Sequence, residues 1–89
     1  MSNEEYNPII EFQEIDAFVK QMKKKIVKNS HKRNIWMSST IGSLLSGLDG
    51  EYKELDEARH TDNYKNMQDE LIDIANFCMF IWSRLKSKS

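Results

Sequence analysis

Proline occurs once in this chain, glycine three times and cysteine once. So few helix breakers leave little to interrupt long helices, and the wealth of Lys, Glu, Leu, Ile and Met favours them throughout. The lone cysteine, Cys78, excludes an intrachain disulfide. Its place in an apolar stretch predicts a buried thiol in a reducing compartment. No signal-peptide pattern opens the sequence, and the longest apolar run is too short and too interrupted to span a bilayer. These absences point to a cytoplasmic protein that does not enter membranes, encoded by a cell or by a virus that infects one. There is no internal repeat, no linker and no low-complexity segment. The 89 residues, 39% apolar and 30% charged, read as one small soluble domain over 1–89, near the lower limit for a self-sufficient core.

What the chain does have is a concentrated apolar segment. From Leu71 to Trp82 every residue is apolar except Asp73 and Asn76. Wound as a helix, such a segment is apolar around most of its circumference, the mark of a helix enclosed by others. Met67, Phe77, Met79, Phe80 and Trp82 are expected in the core. Asp73 is then expected to be largely buried, where an ionised carboxylate is costly unless paired or bound to a cation. Glu70, three residues earlier, points to the same side.

Upstream, residues 1–6 read as a frayed tail, and Asn7-Pro8 as an N-cap followed by proline at the first helical position. Ile9, Phe12, Ile15, Phe18, Val19, Met22 and Ile26 recur at helical spacing and predict an amphipathic helix over about 8–28, ended by Asn29-Ser30. Residues 30–36 read as a loop or short turn. A second helix, capped by Ser38, Ser39 or Thr40, runs to about Arg59, with Ile41, Leu44, Leu45, Leu48, Tyr52 and Leu55 as its apolar stripe. Gly47 and Gly50 weaken it by roughly 1 kcal/mol each against Ala, which suits close packing, a ligand or a bend. Residues 60–63 form a turn in which Asp62 or Asn63 caps the third helix. The second and third helices are expected to form an antiparallel hairpin. The fold expected is all-α: a three-helix chain that completes a four-helix-bundle core by homo-oligomerisation, as a dimer or tetramer.

In that hairpin Glu51 and Glu54 come level with Glu70 and Asp73. Four carboxylates from two helices make an all-oxygen site, and such a site selects Mg²⁺ or Mn²⁺ over zinc. Charge is also segregated. Between Asp16 and Asp49 lie seven basic residues and no acidic one, whereas Asp49 to Asp73 holds nine acidic residues against Lys53, Arg59 and Lys65. The two faces either stay solvated, dock on each other, or hold a polyanion between a basic strip and a cation-loaded cluster.

The frame Glu51-x-x-Glu54, fifteen intervening residues, then Glu70-x-x-Asp73 resembles the double motif of the all-α nucleoside triphosphate pyrophosphohydrolases, the MazG-like superfamily. The surrounding words are similar too: Leu44-Leu45, Leu48, Glu51 to Leu55 and Ala58, then Asp69 to Phe77. The Asn29 to Trp36 segment resembles the loop of short, often phage-encoded, members. The resemblance spans about residues 20–82. It implies a hydrolase that cleaves a nucleoside triphosphate between the α and β phosphates, giving the monophosphate and pyrophosphate. Mg²⁺ would be held by Glu51, Glu54, Glu70 and Asp73, with Glu54 the candidate to accept the proton of the attacking water. Lys28 and Lys32 are candidates for phosphate oxygens, Asn76 for a sugar hydroxyl, Trp36 for stacking on the base and His31 for reading its edge.

Each assignment has a structural counterpart. Trp36 can be a packing residue, His31 a loop residue bonded to backbone, the Lys23-Lys24-Lys25 run a solvated face, and Asn76 a cross-link between helices. A rival of another class is a non-catalytic helical oligomerisation or interaction module with a structural acidic cluster. Nucleic-acid binding through Lys20 to Arg33 is disfavoured, because the acidic half would repel a phosphate backbone.

Overall fold

A computed structural model describes residues 5–32 and 35–86, with Lys32 described in its backbone alone. The order is α1 (Ile9–Lys28), a 3₁₀ turn (Ser30–Lys32), a short α2 (Ile35–Ser38), α3 (Ile41–His60) and α4 (Tyr64–Lys86). No strand occurs among the described residues. No helix among them is long and apolar enough to cross a membrane. Residues 1–4 of the expected tail lie outside the described residues.

Local chemistry sets the boundaries. At the start of α1 the expectation is off by one residue. Pro8, not Asn7, occupies the N-cap position, and no side chain caps the helix. The reason is that the Pro8 carbonyl already accepts the first helical bond, from Phe12 N–H at 2.9 Å. Thr40 caps α3 by accepting the Ser43 N–H at 3.0 Å, and Asn63 accepts the Asn66 N–H at 3.1 Å at the start of α4. Between them α3 ends in a Schellman turn: the Asn63 N–H reaches back to the Ala58 carbonyl and the Asp62 N–H to that of Arg59. Asp62 takes the left-handed conformation this turn requires, at φ 54°.

That three-residue turn folds α4 back along α3. Gly47 meets Phe77 and Glu51 meets Asp73, a falling register that makes the hairpin antiparallel. Gly47 is what lets the helices close there: a Cβ on it would lie 2.5 Å from the Phe77 ring. The segment 30–36, expected as a loop or short turn, contains the 3₁₀ turn and the start of α2, which Arg84 of α4 holds by donating to the carbonyls of Trp36 and Ser39. α1 packs mainly on α4.

The interior of one chain is small. Among the described residues, Leu44, Ala58, Ile72 and Ile81 are the buried apolar ones, and Glu70 and Asn76 are buried with them. Two expectations for α4 are therefore corrected. Cys78 is exposed, and Trp82 is 63% exposed with the Lys86 ammonium 4.5 Å from its ring centre. Asp73, expected to be largely buried, keeps about a quarter of its side chain exposed. The physical cause is common to Cys78 and Trp82: within one chain α1, α2 and α3 leave part of the apolar surface of α4 facing outward.

Candidate metal and ligand site

One turn of α3 and one turn of α4 face each other around Glu51, Glu70 and Asp73. One carboxylate oxygen from each lies within 4.8 Å of the others. Glu70 is buried, and its Oε1 has no hydrogen-bond donor. Burial, first, and then the neighbouring carboxylates push the Glu51 carboxyl up to about 7. Glu70 is also raised, again chiefly by burial. Glu54 is exposed, and its charge adds repulsion to both. It stands at the solvent edge and is not one of the three converging groups.

Like charges this close cannot all remain ionised without relief. Two forms of relief fit the residues present. A proton shared between Glu51 and Glu70 is one. A hard cation is the other, since the donors are all carboxylate oxygens and Glu70 Oε1 lacks a donor.

Lys25 of α1 supplies part of the compensation. Its Nζ lies 3.4 Å from Asp73 Oδ1, with both side chains about three-quarters buried. Sequence reasoning placed Lys25 in a solvated run and missed this role. The signal was there in its position: Met22, Lys25, Ile26 and Asn29 share one side of the helix, so Lys25 points with the apolar seam while Lys23 and Lys24 do not.

Beside the carboxylates opens a cleft of about 770 Å³, into which Lys25, Glu51, Asp73 and Asn76 face along with an apolar wall from α2 and α4. In that wall Trp36 stacks on Phe80, ring centres 4.9 Å apart and 11° from parallel. Phe77 meets Phe80 edge-on at 5.9 Å. Asn76 donates from Nδ2 to the Met22 carbonyl at 3.3 Å, so it does cross-link helices, but its Oδ1 is buried with no donor. Of the predicted contacts, then, Trp36 and Asn76 line the cleft. Lys28 and His31 are exposed and do not line it. The Lys32 side chain lies outside the described residues.

The chain is 37% identical over 82 residues to a protein of Archaeoglobus fulgidus described as uncharacterized, and the match covers 88% of each. It belongs to the same family as that archaeal protein. The fold is also similar to the crystal structure of a coding region from Archaeoglobus fulgidus, with a TM-score of 0.77 and 34% identity over 85% of this chain and 95% of that one. No family model matches the chain.

Proposed function

We propose that this chain is a Mg²⁺-dependent nucleoside triphosphate pyrophosphohydrolase, acting as the MazG-like resemblance implies. The observation that carries the reading is the convergence of Glu51, Glu70 and Asp73, with one buried oxygen lacking a donor, at a cleft that also holds Lys25 and the Trp36–Phe80 stack. A cleft of this size, with a few polar groups set in apolar walls, suits a small ligand.

Glu51, Glu70 and Asp73 would hold Mg²⁺ (Mn²⁺ substituting), with Glu54 at the outer edge. Bound there, the ion supplies charge neutralisation at the phosphates and Lewis acidity toward phosphorus. Glu54, exposed beside Glu70, accepts a proton from the attacking water. The water oxygen bonds to the α-phosphorus, the bond to the bridging oxygen breaks, and pyrophosphate leaves. Lys25 turns from Asp73 to a phosphate oxygen as a charged donor. Trp36 and Phe80 form the wall against which the base packs. Asn76 Oδ1 is an open acceptor for a sugar hydroxyl. The working unit in this reading is a cytoplasmic homo-oligomer.

One observation favours the rival, a non-catalytic interaction module: Lys25 already answers part of the acidic charge within the chain. The two separate in a pyrophosphate-release assay over a panel of ribo- and deoxynucleoside triphosphates with Mg²⁺. The enzyme reading expects turnover of at least one triphosphate, lost at least a hundredfold in Glu54→Gln and Glu51→Gln proteins that keep their helical circular dichroism. Absence of turnover across the whole panel, with Glu51→Gln altering assembly instead, selects the module.

A further inference from the structure

The chain exposes far more surface than a compact protein of its size. Its accessible area is 7094 Å², against about 5,400 Å² for a folded monomer of 10.5 kDa. Its radius of gyration is 16.0 Å, against about 12 Å for a compact domain of this length. The excess, about 1,700 Å² per chain, is of the size each partner contributes to an obligate dimer interface. The apolar part of that excess is concentrated on α1, where Ile9, Ile10, Phe12, Ile15, Phe18 and Val19 are all exposed. Next to them, between α1 and α4, runs a groove of about 710 Å³ lined by Ile15, Phe18, Leu71 and Ile72 among others.

The charge order along α1 says what covers this face. Its acidic residues, Glu11, Glu14 and Asp16, all precede its lysines, Lys20, Lys23, Lys24, Lys25 and Lys28. A second α1 lying parallel would set acid against acid and lysine against lysine. One lying antiparallel sets each acidic half against a basic half, twice over by symmetry. Phe12, Ile15, Val19, Met22 and Ile26 repeat at alternating spacings of three and four, the pattern of a helix-pairing seam.

We propose that two copies of this chain associate through antiparallel pairing of their α1 helices about a two-fold axis near Phe18 and Val19. The pairing seals the α1–α4 groove of each copy and turns two loosely covered α4 helices into the interior of one bundle. It names the contact surface of the homo-oligomer, and it stands whether or not the carboxylate site hydrolyses anything.

Charge reversal on the exposed residues of α1 tests it, read by sedimentation equilibrium. Wild type is expected as a dimer at micromolar concentration. Glu11→Lys with Asp16→Lys weakens the dimer at least tenfold, and adding Lys20→Glu and Lys23→Glu to the same chain restores it. A parallel pair would show no weakening in the first variant. In a Cys78→Ser background, a short bis-maleimide links Val19→Cys to its own copy but not Phe12→Cys, whose copies lie about 20 Å apart along an antiparallel pair. A monomeric wild type, an unweakened first variant, or equal linking at both positions overturns the proposal.

Discussion

Lys25 Nζ of α1 sits 3.4 Å from Asp73 Oδ1 of α4, and this ion pair ties the basic half of the first helix to the acidic site of the last. It joins two helices that otherwise make modest contact, and it is mostly shielded from water. Replacing Lys25 by Met should therefore lower the metal-free stability by about 1–2 kcal/mol, more than an exposed pair would. Urea unfolding at neutral pH measures this; a change within error would mean that the pair is solvated.

Glu51→Gln acts in the opposite direction. It removes one of three crowded carboxylates while keeping the shape of the side chain. Without metal, the variant should be more stable than wild type at pH 8. Adding Mg²⁺ should raise the melting temperature of wild type and leave the variant unmoved, because a ligand that binds the folded form stabilises it. Equal Mg²⁺ shifts in both proteins would remove Glu51 from the ion's coordination.

The pH dependence has a definite sign. Glu51 is raised from an ordinary 4.5 to about 7 in the fold, so the folded state holds a proton that the unfolded chain has lost. The favourable contribution is complete below about pH 4.5 and declines as pH rises toward 7. Metal-free stability should fall across that window and level off above it. Saturating Mg²⁺ should flatten the decline by replacing the proton. Differential scanning calorimetry between pH 4.5 and 8, with and without Mg²⁺, reads both limbs; a metal-free stability that rises with pH through the window contradicts the carboxylate crowding.

The glycines of α3 should separate by position. Gly47→Ala drives a Cβ to 2.5 Å from the Phe77 ring, and the overpacking should outweigh the gain in helix propensity, for a net loss of about 1–3 kcal/mol. Gly50→Ala meets nothing within 4 Å and should gain up to about 1 kcal/mol. Chemical denaturation of the two variants side by side gives opposite signs if the Phe77 contact is what Gly47 serves.

Arg84 holds α2 in place through the carbonyls of Trp36 and Ser39. Arg84→Leu should release α2 and with it the Trp36–Phe80 stack. In a Trp82→Phe background, Trp36 fluorescence should shift to the red and become more accessible to iodide. An unchanged spectrum would show that stacking alone holds the tryptophan.

The turn chemistry and helical periods were legible because they depend on neighbours in sequence. Thr40 and Asn63 were both among the anticipated caps, and the carboxylates of Glu51, Glu70 and Asp73 were brought together by helix spacing and a short connection. Pro8 was misplaced by one position because hydrogen-bond closure, not residue preference, sets the first turn. The place of Lys25 on the apolar side of its helix was legible but its partner Asp73 was not, and Arg84 and the Gly47–Phe77 contact were illegible, since each depends on how two separate helices cross. Cys78 and Trp82 were expected inside from composition, but burial depends on what covers a helix, and one chain leaves part of α4 uncovered.

The amino-acid order alone determined that this is a helical chain with an acidic frame at matched spacing, because backbone periodicity and capping act over a few residues. Which lysine faces the acidic site, which carboxylate stays at the solvent edge and which aromatic rings meet were decided only in three dimensions. Those outcomes follow from helix crossing and close packing, where an ångström between distant segments separates a contact from open solvent.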